Sequence, residues 1–138
     1  MKKKAIVTGA NGQLGSIFVD SLLAKGYFVY AIDLVFNKVE IVGDALQVQL
    51  DITDSEAVHE FFMSIDDLSV LINNAGIGVF TPFEDRTASE FRSVLEVNLL
   101  GTFLMSQAAI KIMKLKSEGK IVNIASVYGS TSSDERIY

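Results

Sequence analysis

Near the N-terminus the chain reads Thr8-Gly9-Ala10-Asn11-Gly12-Gln13-Leu14-Gly15, with a glycine at every third position. Such a turn lets backbone approach a phosphate with no Cβ in the way. If a helix begins there, its exposed N–H groups and its dipole favour the negative charge of a dinucleotide pyrophosphate. Gly15 would fall one turn into that helix, where a missing side chain permits close packing on the preceding strand. An ordinary glycine-rich turn is the alternative. Asp33 follows at the distance at which a carboxylate meets ribose hydroxyls. Its charge repels a 2′-phosphate, and neither Leu34 nor the glycine turn offers a compensating base, so the pattern favours NAD over NADP. The alternative is a carboxylate that simply ends a strand in solvent.

These residues have to be held by an alternation of strands and helices. Apolar runs at residues 4–8, 27–33, 46–50, 69–73 and 120–125 read as five strands. Residues 12–25 repeat apolar positions at helical spacing (Leu14, Ile17, Phe18, Leu22), and Gly26 stops that helix. The connection over residues 34–45 has room for only a helical turn or two. Thr53 to Glu56 reads as a capping box before a helix running to about Ile65. Thr87 to Glu90 reads as a second, opening the longest helix, with Phe91, Leu95, Asn98, Leu99, Phe103 and Met105 along it. Lys111, Lys114 and Lys116 suit its C-terminal end. Continuous apolar strands alternating with helices predict an α/β fold, a doubly wound parallel sheet in strand order 3-2-1-4-5. Its ligand crevice belongs at the carboxyl ends of the strands.

Composition removes several function classes. In 138 residues, 49% are hydrophobic and 21% charged, which suits one folded domain, residues 1–138. Twelve basic residues against 17 acidic ones give a net charge of −5, which argues against nucleic acid as a partner. With no cysteine and only His59, disulfides, thiolate metal sites and multi-histidine metal sites are excluded. The lack of cysteine suits a cytoplasmic setting. No unbroken apolar run reaches about 18 residues, so no membrane span is expected. Lys2 to Lys4 precede too short an apolar run for a signal sequence. His59, beside Glu56 and Glu60, reads as a surface residue.

The motifs taken together resemble the short-chain dehydrogenases/reductases. Besides the glycine turn, Asp51-Ile52-Thr53-Asp54 resembles the family's adenine-contacting turn. Asn73-Asn74-Ala75-Gly76 resembles the signature that steadies the sheet and borders the cofactor ribose. Asn98, within Val97-Asn98-Leu99-Leu100-Gly101, resembles the active-site Asn, and Ser126 the active-site Ser at the end of the fifth strand. The resemblance spans essentially the whole chain. It implies a Rossmann sheet and an NAD-dependent oxidoreductase acting on a small carbonyl or alcohol. It also implies a homo-oligomer, and apolar positions on several faces of the long helix make that helix a plausible interface. The implied cofactor contacts are Gly9, Asn11, Gly12, Gln13, Leu14, Gly15, Asp33, Asp51, Ile52, Asn74, Ala75 and Gly76. The implied mechanism pairs a Tyr base with a Lys that lowers its pKa, a Ser that steadies the developing alkoxide, and an Asn that anchors a water leading to the Lys. A buried Asn in a long helix is otherwise hard to explain, although a satisfied structural Asn is the alternative. For Ser126 the alternative is a strand-end hydroxyl bonded to backbone.

Two departures stand out. Gln13 occupies a position where the single-domain branch has Gly or Ala, and the glycine spacing resembles the extended branch that acts on nucleotide sugars. Tyr138 lies about a dozen residues after Ser126, as the family's Tyr does, but it is the last residue and no Lys follows. The expectation is therefore the N-terminal part of a longer enzyme, with two further strands to come and the active Tyr at Tyr138 or beyond. A protein that holds NAD without turnover and a nucleotide-sugar epimerase or dehydratase are the rival readings.

Overall fold

The computed structural model describes residues 2–36 and 40–131. Among them, six strands form one sheet in the order β3-β4-β2-β1-β5-β6. The five expected strands are β1 (Lys4–Thr8), β2 (Phe28–Asp33), β4 (Ala45–Gln49), β5 (Val70–Asn73) and β6 (Lys120–Asn123). All pair in parallel and in the predicted order.

The sixth strand corrects the reading of residues 34–45. Among the described residues of that stretch there is no helical turn, and β3 (Ile41–Val42) runs antiparallel to β4, with Val42 opposite Ala45. The intervening Gly43-Asp44 is a two-residue hairpin turn, and Gly43 supplies its positive φ of 60°.

Successive strand residues face opposite sides of the sheet. Ala5, Val7, Val29, Ala31 and Ile72 pack with Val19 and Leu22 of α1 (Gln13–Ala24) on one side. Ile6, Ile32 and Leu71 pack on the other with Val58 and Phe62 of α2 (Ser55–Met63) and with Met105, Ala109 and Met113 of α4 (Thr102–Lys116). Helices cover both faces, and this is why the strands carry unbroken apolar runs.

Helix α1 ends as expected. Gly26 has φ +80°, its N–H donates to the Leu23 carbonyl, and the Tyr27 N–H donates to that of Leu22. The start of α2 differs from expectation. The Thr53 hydroxyl donates to Asp51, and Asp54 is the cap, accepting from the N–H groups of Glu56 (3.0 Å) and Ala57 (3.1 Å). The box at α3 (Ala88–Leu95) forms as read: Glu90 N–H donates to the Thr87 hydroxyl, and Thr87 N–H donates back to the Glu90 carboxylate.

The long helix is not uniform. Between α3 and α4 lies one wide turn of π-helix, Glu96–Gly101. Residues 88–116 are the one helical stretch among those described that is long and apolar enough to cross a membrane. Its charges are spaced rather than absent, and Met105, Ala109 and Met113 are buried against the sheet.

Candidate active site

The order of the sheet reverses at β1, which pairs with β2 on one side and β5 on the other. Loops leaving these strands part there and open a crevice. Thr8, the last residue of β1 and only 1% exposed, ties its two sides together. Its hydroxyl accepts from the N–H groups of Asn74 and Ala75, each at 3.0 Å. The Asn74 amide returns two bonds, donating to the Thr8 and Gly9 carbonyls at 3.1 Å.

This packing explains two of the glycines without any ligand. Gly9 sits at φ +64°, and a Cβ there would lie 2.8 Å from the Ala75 Cα. A Cβ on Gly15 would lie 2.0 Å from the Gly9 carbonyl oxygen. Helix α1 therefore rests directly on the glycine turn. At Gly12 a Cβ would meet only the Gly9 oxygen, at 3.2 Å.

The first turn of α1 is electrostatically open. Gly12 occupies its cap position, with no side-chain hydrogen bond to the helix. Helices α2 and α3 are capped by Asp54 and Thr87. The first-turn N–H groups of α1 thus keep their capacity for an anion.

A cleft of about 370 Å³ opens at this point, lined by Gly9, Gly12, Gln13, Leu14, Asp33, Asp51, Ile52, Asn74, Ala75 and Gly76. These are the expected cofactor residues apart from Asn11 and Gly15. Those two do not line the cleft but support it. Gly15 is buried beneath the turn, and Asn11 braces the end of β2. The Asn11 N–H donates to Asp33 Oδ2 at 2.9 Å and its amide to the Val35 carbonyl at 3.0 Å. A bond from Val35 N–H at 3.3 Å completes the orientation of the Asp33 carboxylate. Across the cleft, Asp51 Oδ1 accepts from the Thr53 N–H (2.9 Å) and hydroxyl (2.7 Å).

The apolar walls, Ile32, Leu34, Leu50, Ile77 and Val97, were not anticipated. Four of them adjoin an expected residue (Asp33, Asp51, Gly76) at a strand end, a signal the sequence did carry.

Asn98 corrects another expectation. It is exposed, not buried, and both ends of its amide bond a single residue. Its Oδ1 accepts from the Ile77 N–H at 2.8 Å and its Nδ2 donates to the Ile77 carbonyl at 2.9 Å. The π turn thus clamps the loop leaving β5. Gly101, at the end of the same turn, is buried against Ile52, where a Cβ would lie 2.6 Å from its Cδ1. Ser126 precedes a single 3₁₀ turn, Val127–Gly129, and its Oγ accepts from the Tyr128 N–H at 3.1 Å. Tyr138 lies outside the described residues.

Farther along, Glu90 holds the loop that precedes α3. Its carboxylate accepts from the Thr81 hydroxyl at 2.5 Å and from the Thr87 N–H at 2.7 Å, and these bonds pull its pKa down to about 2. Arg86 fastens the same loop by donating to the Val79 and Thr81 carbonyls.

A doubly wound sheet whose crevice lies between an uncapped helix N-terminus and a strand-end carboxylate defines the dinucleotide-binding class of α/β domain. Within that class, the chain belongs to the short chain dehydrogenase family, whose family model matches residues 3–137. It is 35% identical over 134 residues to a probable short-chain type dehydrogenase/reductase, VdlC, of Helicobacter pylori, covering 93% of this chain and 49% of that one. A short chain dehydrogenase from Leptospira borgpetersenii, solved with bound NAD+, superposes with a TM-score of 0.91 at 41% identity, over all of this chain and 57% of that one. ElxO, solved with NADP bound, superposes with a TM-score of 0.88 at 29% identity, over 99% of this chain and 60% of that one. The chain spans about half the length of the curated relative it matches.

Proposed function

We propose that the whole protein is an oxidoreductase that moves hydride between NAD(H) and a small carbonyl or alcohol. The observation that carries this reading is the cleft itself, with the open first turn of α1 on one wall and the fixed Asp33 carboxylate at its edge. The donor set suits a dinucleotide. N–H groups of Gln13 and Leu14 would hold the pyrophosphate, Asp33 the ribose hydroxyls, and the turn at Asp51 and Ile52 the adenine. Asn74, Ala75 and Gly76 would border the second ribose. When bound, the cofactor supplies the hydride donor or acceptor.

The rest falls to the chain's own groups. Ser126 Oγ accepts from a backbone N–H, so its own proton is free to donate to a substrate oxygen and steady an alkoxide. Both ends of the Asn98 amide bond Ile77 and hold the cleft wall, and its second N–H remains available for the expected water leading to the Lys. A phenol of pKa about 10 needs an adjacent cation to serve as base at neutral pH. Tyr138 or a later Tyr would be that base, with its Lys supplied beyond residue 138.

The reading extends to assembly. Leu95, Leu99, Leu100 and Phe103 are exposed along the outer side of the long helix and border a shallow apolar groove. In a cytoplasmic protein, a second copy would cover them.

Calorimetric titration of the whole protein with NAD and NADP tests the cofactor. NAD should bind more tightly, and Asp33→Ala should narrow the gap; equal affinities in the unaltered protein would refute the role given to Asp33. Turnover is tested by NADH consumption with a panel of cyclic ketones, 3-oxoacyl thioesters and ketoses. NAD binding with no turnover on any carbonyl would favour a non-catalytic NAD-binding protein. Turnover of nucleotide sugars alone would favour the epimerase reading.

A further inference from the structure

Asn73 is buried (4% exposed) at the end of β5, and three segments that carry candidate site residues meet on it. Its Nδ2 donates to Asn123 Oδ1 on β6 at 2.8 Å and to Ser106 Oγ on α4 at 2.9 Å. Its backbone carbonyl accepts from the Ile124 N–H at 2.9 Å. Beyond Asn73 the chain runs directly into the cleft wall, Asn74 to Ile77. Beyond Ile124 it reaches Ser126 in two residues, after leaving the sheet. Ser106 lies on the helical stretch that carries Asn98.

The amide is poorly arranged for stability alone. Its Oδ1 is buried without a hydrogen-bond partner, a cost that an apolar residue at this point of the sheet would avoid. Both of its donors, by contrast, are engaged. Strand β6 pairs with β5 only, among the described strands, so the end of β6 depends on what β5 offers it.

We propose that Asn73, acting through Asn123, is the positioning residue that sets Ser126 relative to the cofactor wall of the cleft. The two bonds at Asn73, one from its side chain and one to its backbone, fix the last strand residues before Ser126. A displacement of about 1 Å at a reacting group can cost about a hundredfold in rate, so this anchorage acts on turnover more than on cofactor affinity. The inference rests on the reading of Ser126 as the hydroxyl that steadies the alkoxide, and its test separates the two.

Asn123 is exposed, so its substitution leaves the core intact. In the whole protein, with the carbonyl that turns over fastest, Asn123→Ala should lower kcat at least tenfold. The NAD dissociation constant should barely change, while Tm should fall by a few degrees because one N–H of the buried Asn73 amide loses its acceptor. Asn123→Asp keeps an oxygen acceptor for the Asn73 amide and should restore most of the rate. In a Ser126→Ala background, Asn123→Ala should cost nothing further, because a residue that acts through Ser126 has nothing left to position. Hydrogen exchange in the cofactor-free protein gives a readout apart from activity: Asn123→Ala should speed exchange at the Ile124 and Tyr128 amides, and Asn123→Asp should not. If Ser126→Ala abolishes turnover while Asn123→Ala leaves kcat within twofold, the positioning role is wrong and the reading of Ser126 stands. The positioning role is equally wrong if Asn123→Ala costs as much in the Ser126→Ala background as in the unaltered protein. If Ser126→Ala keeps full turnover, the reading of Ser126 fails and the positioning role fails with it.

Discussion

Gly15→Ala sets two effects of opposite sign against each other. Gly15 lies inside α1, and helix propensity alone makes Ala better than Gly there by about 1 kcal/mol. The geometry opposes this. A Cβ would lie 2.0 Å from the Gly9 carbonyl oxygen, 2.7 Å from its carbon and 2.8 Å from the Ala10 Cα. All three contacts are backbone, so no side chain can swing away. Restoring an ordinary contact needs helix and turn to part by roughly 1 Å or more, at the upper end of the ~1–3 kcal/mol that overpacking costs. The clash wins, and the net loss should be about 2 kcal/mol. In a domain of 150–250 residues that is a Tm lower by roughly 4–8 °C. The same movement carries the first-turn N–H groups of α1 away from the cleft, so affinity for NAD should fall at least tenfold. Gly12→Ala is the control, since its Cβ meets one atom at 3.2 Å and should cost much less. Thermal melts and NAD titrations of both variants provide the assay. A Gly15→Ala protein as stable as the parent would refute the claim that α1 rests on the glycine turn.

Three further outcomes are expected. Thr8→Val keeps the shape of a buried side chain but strands the Asn74 and Ala75 N–H groups, so denaturant unfolding should show a loss of about 2–3 kcal/mol, largely restored by Thr8→Ser. Ser117 closes α4 at φ +51°, where Gly is the favoured residue, so Ser117→Gly should raise stability by roughly 0.5–1 kcal/mol in the same assay. Glu90 has a folded pKa of about 2 against an ordinary 4.5, so its bonds favour the folded state fully above about pH 4.5 and progressively less as pH falls toward 2. Melts at pH 7 and pH 3 should therefore show Glu90→Gln destabilising the protein more at pH 7, by a modest amount because the carboxylate is exposed; an equal effect at both values would count against the bonds to Thr81 and Thr87.

The parallel sheet was legible because its central strands, β1, β2 and β5, are covered on both sides and read as apolar runs. Gly26 and the Thr87–Glu90 box were legible because their chemistry is local. Other features were decided by competition or by distant contacts. At α2 the helix begins one residue later than read, at Ser55, so Asp54 rather than Thr53 stands at the cap and its carboxylate takes the free N–H groups, while Thr53 turns its hydroxyl to Asp51. Strand β3 was hidden by its length, although Gly43-Asp44 after Ile41-Val42 is a hairpin signal in its own right. The π turn has no local signature. It joins Gly101 seated on Ile52 and Asn98 clamped to Ile77, contacts with residues far away in sequence. In the cleft, sequence motifs named the polar residues, while the apolar walls are simply their neighbours.

The bonds from Asn74 and Ala75 to Thr8 also impose an order of events during synthesis. Asn74 follows Thr8 by 66 positions. At translation speeds of about 5–20 residues per second, the glycine turn waits roughly 3–13 s on the ribosome before the groups that shape it emerge. Throughout that interval the apolar side of β1 and β2 that faces α1 lacks Ile72, which completes its cluster. The nascent chain thus carries an unfinished core for several seconds. Slow codons placed before position 74 would lengthen the exposure, whereas slow codons well beyond it would give the crevice time to close before the rest of the protein arrives.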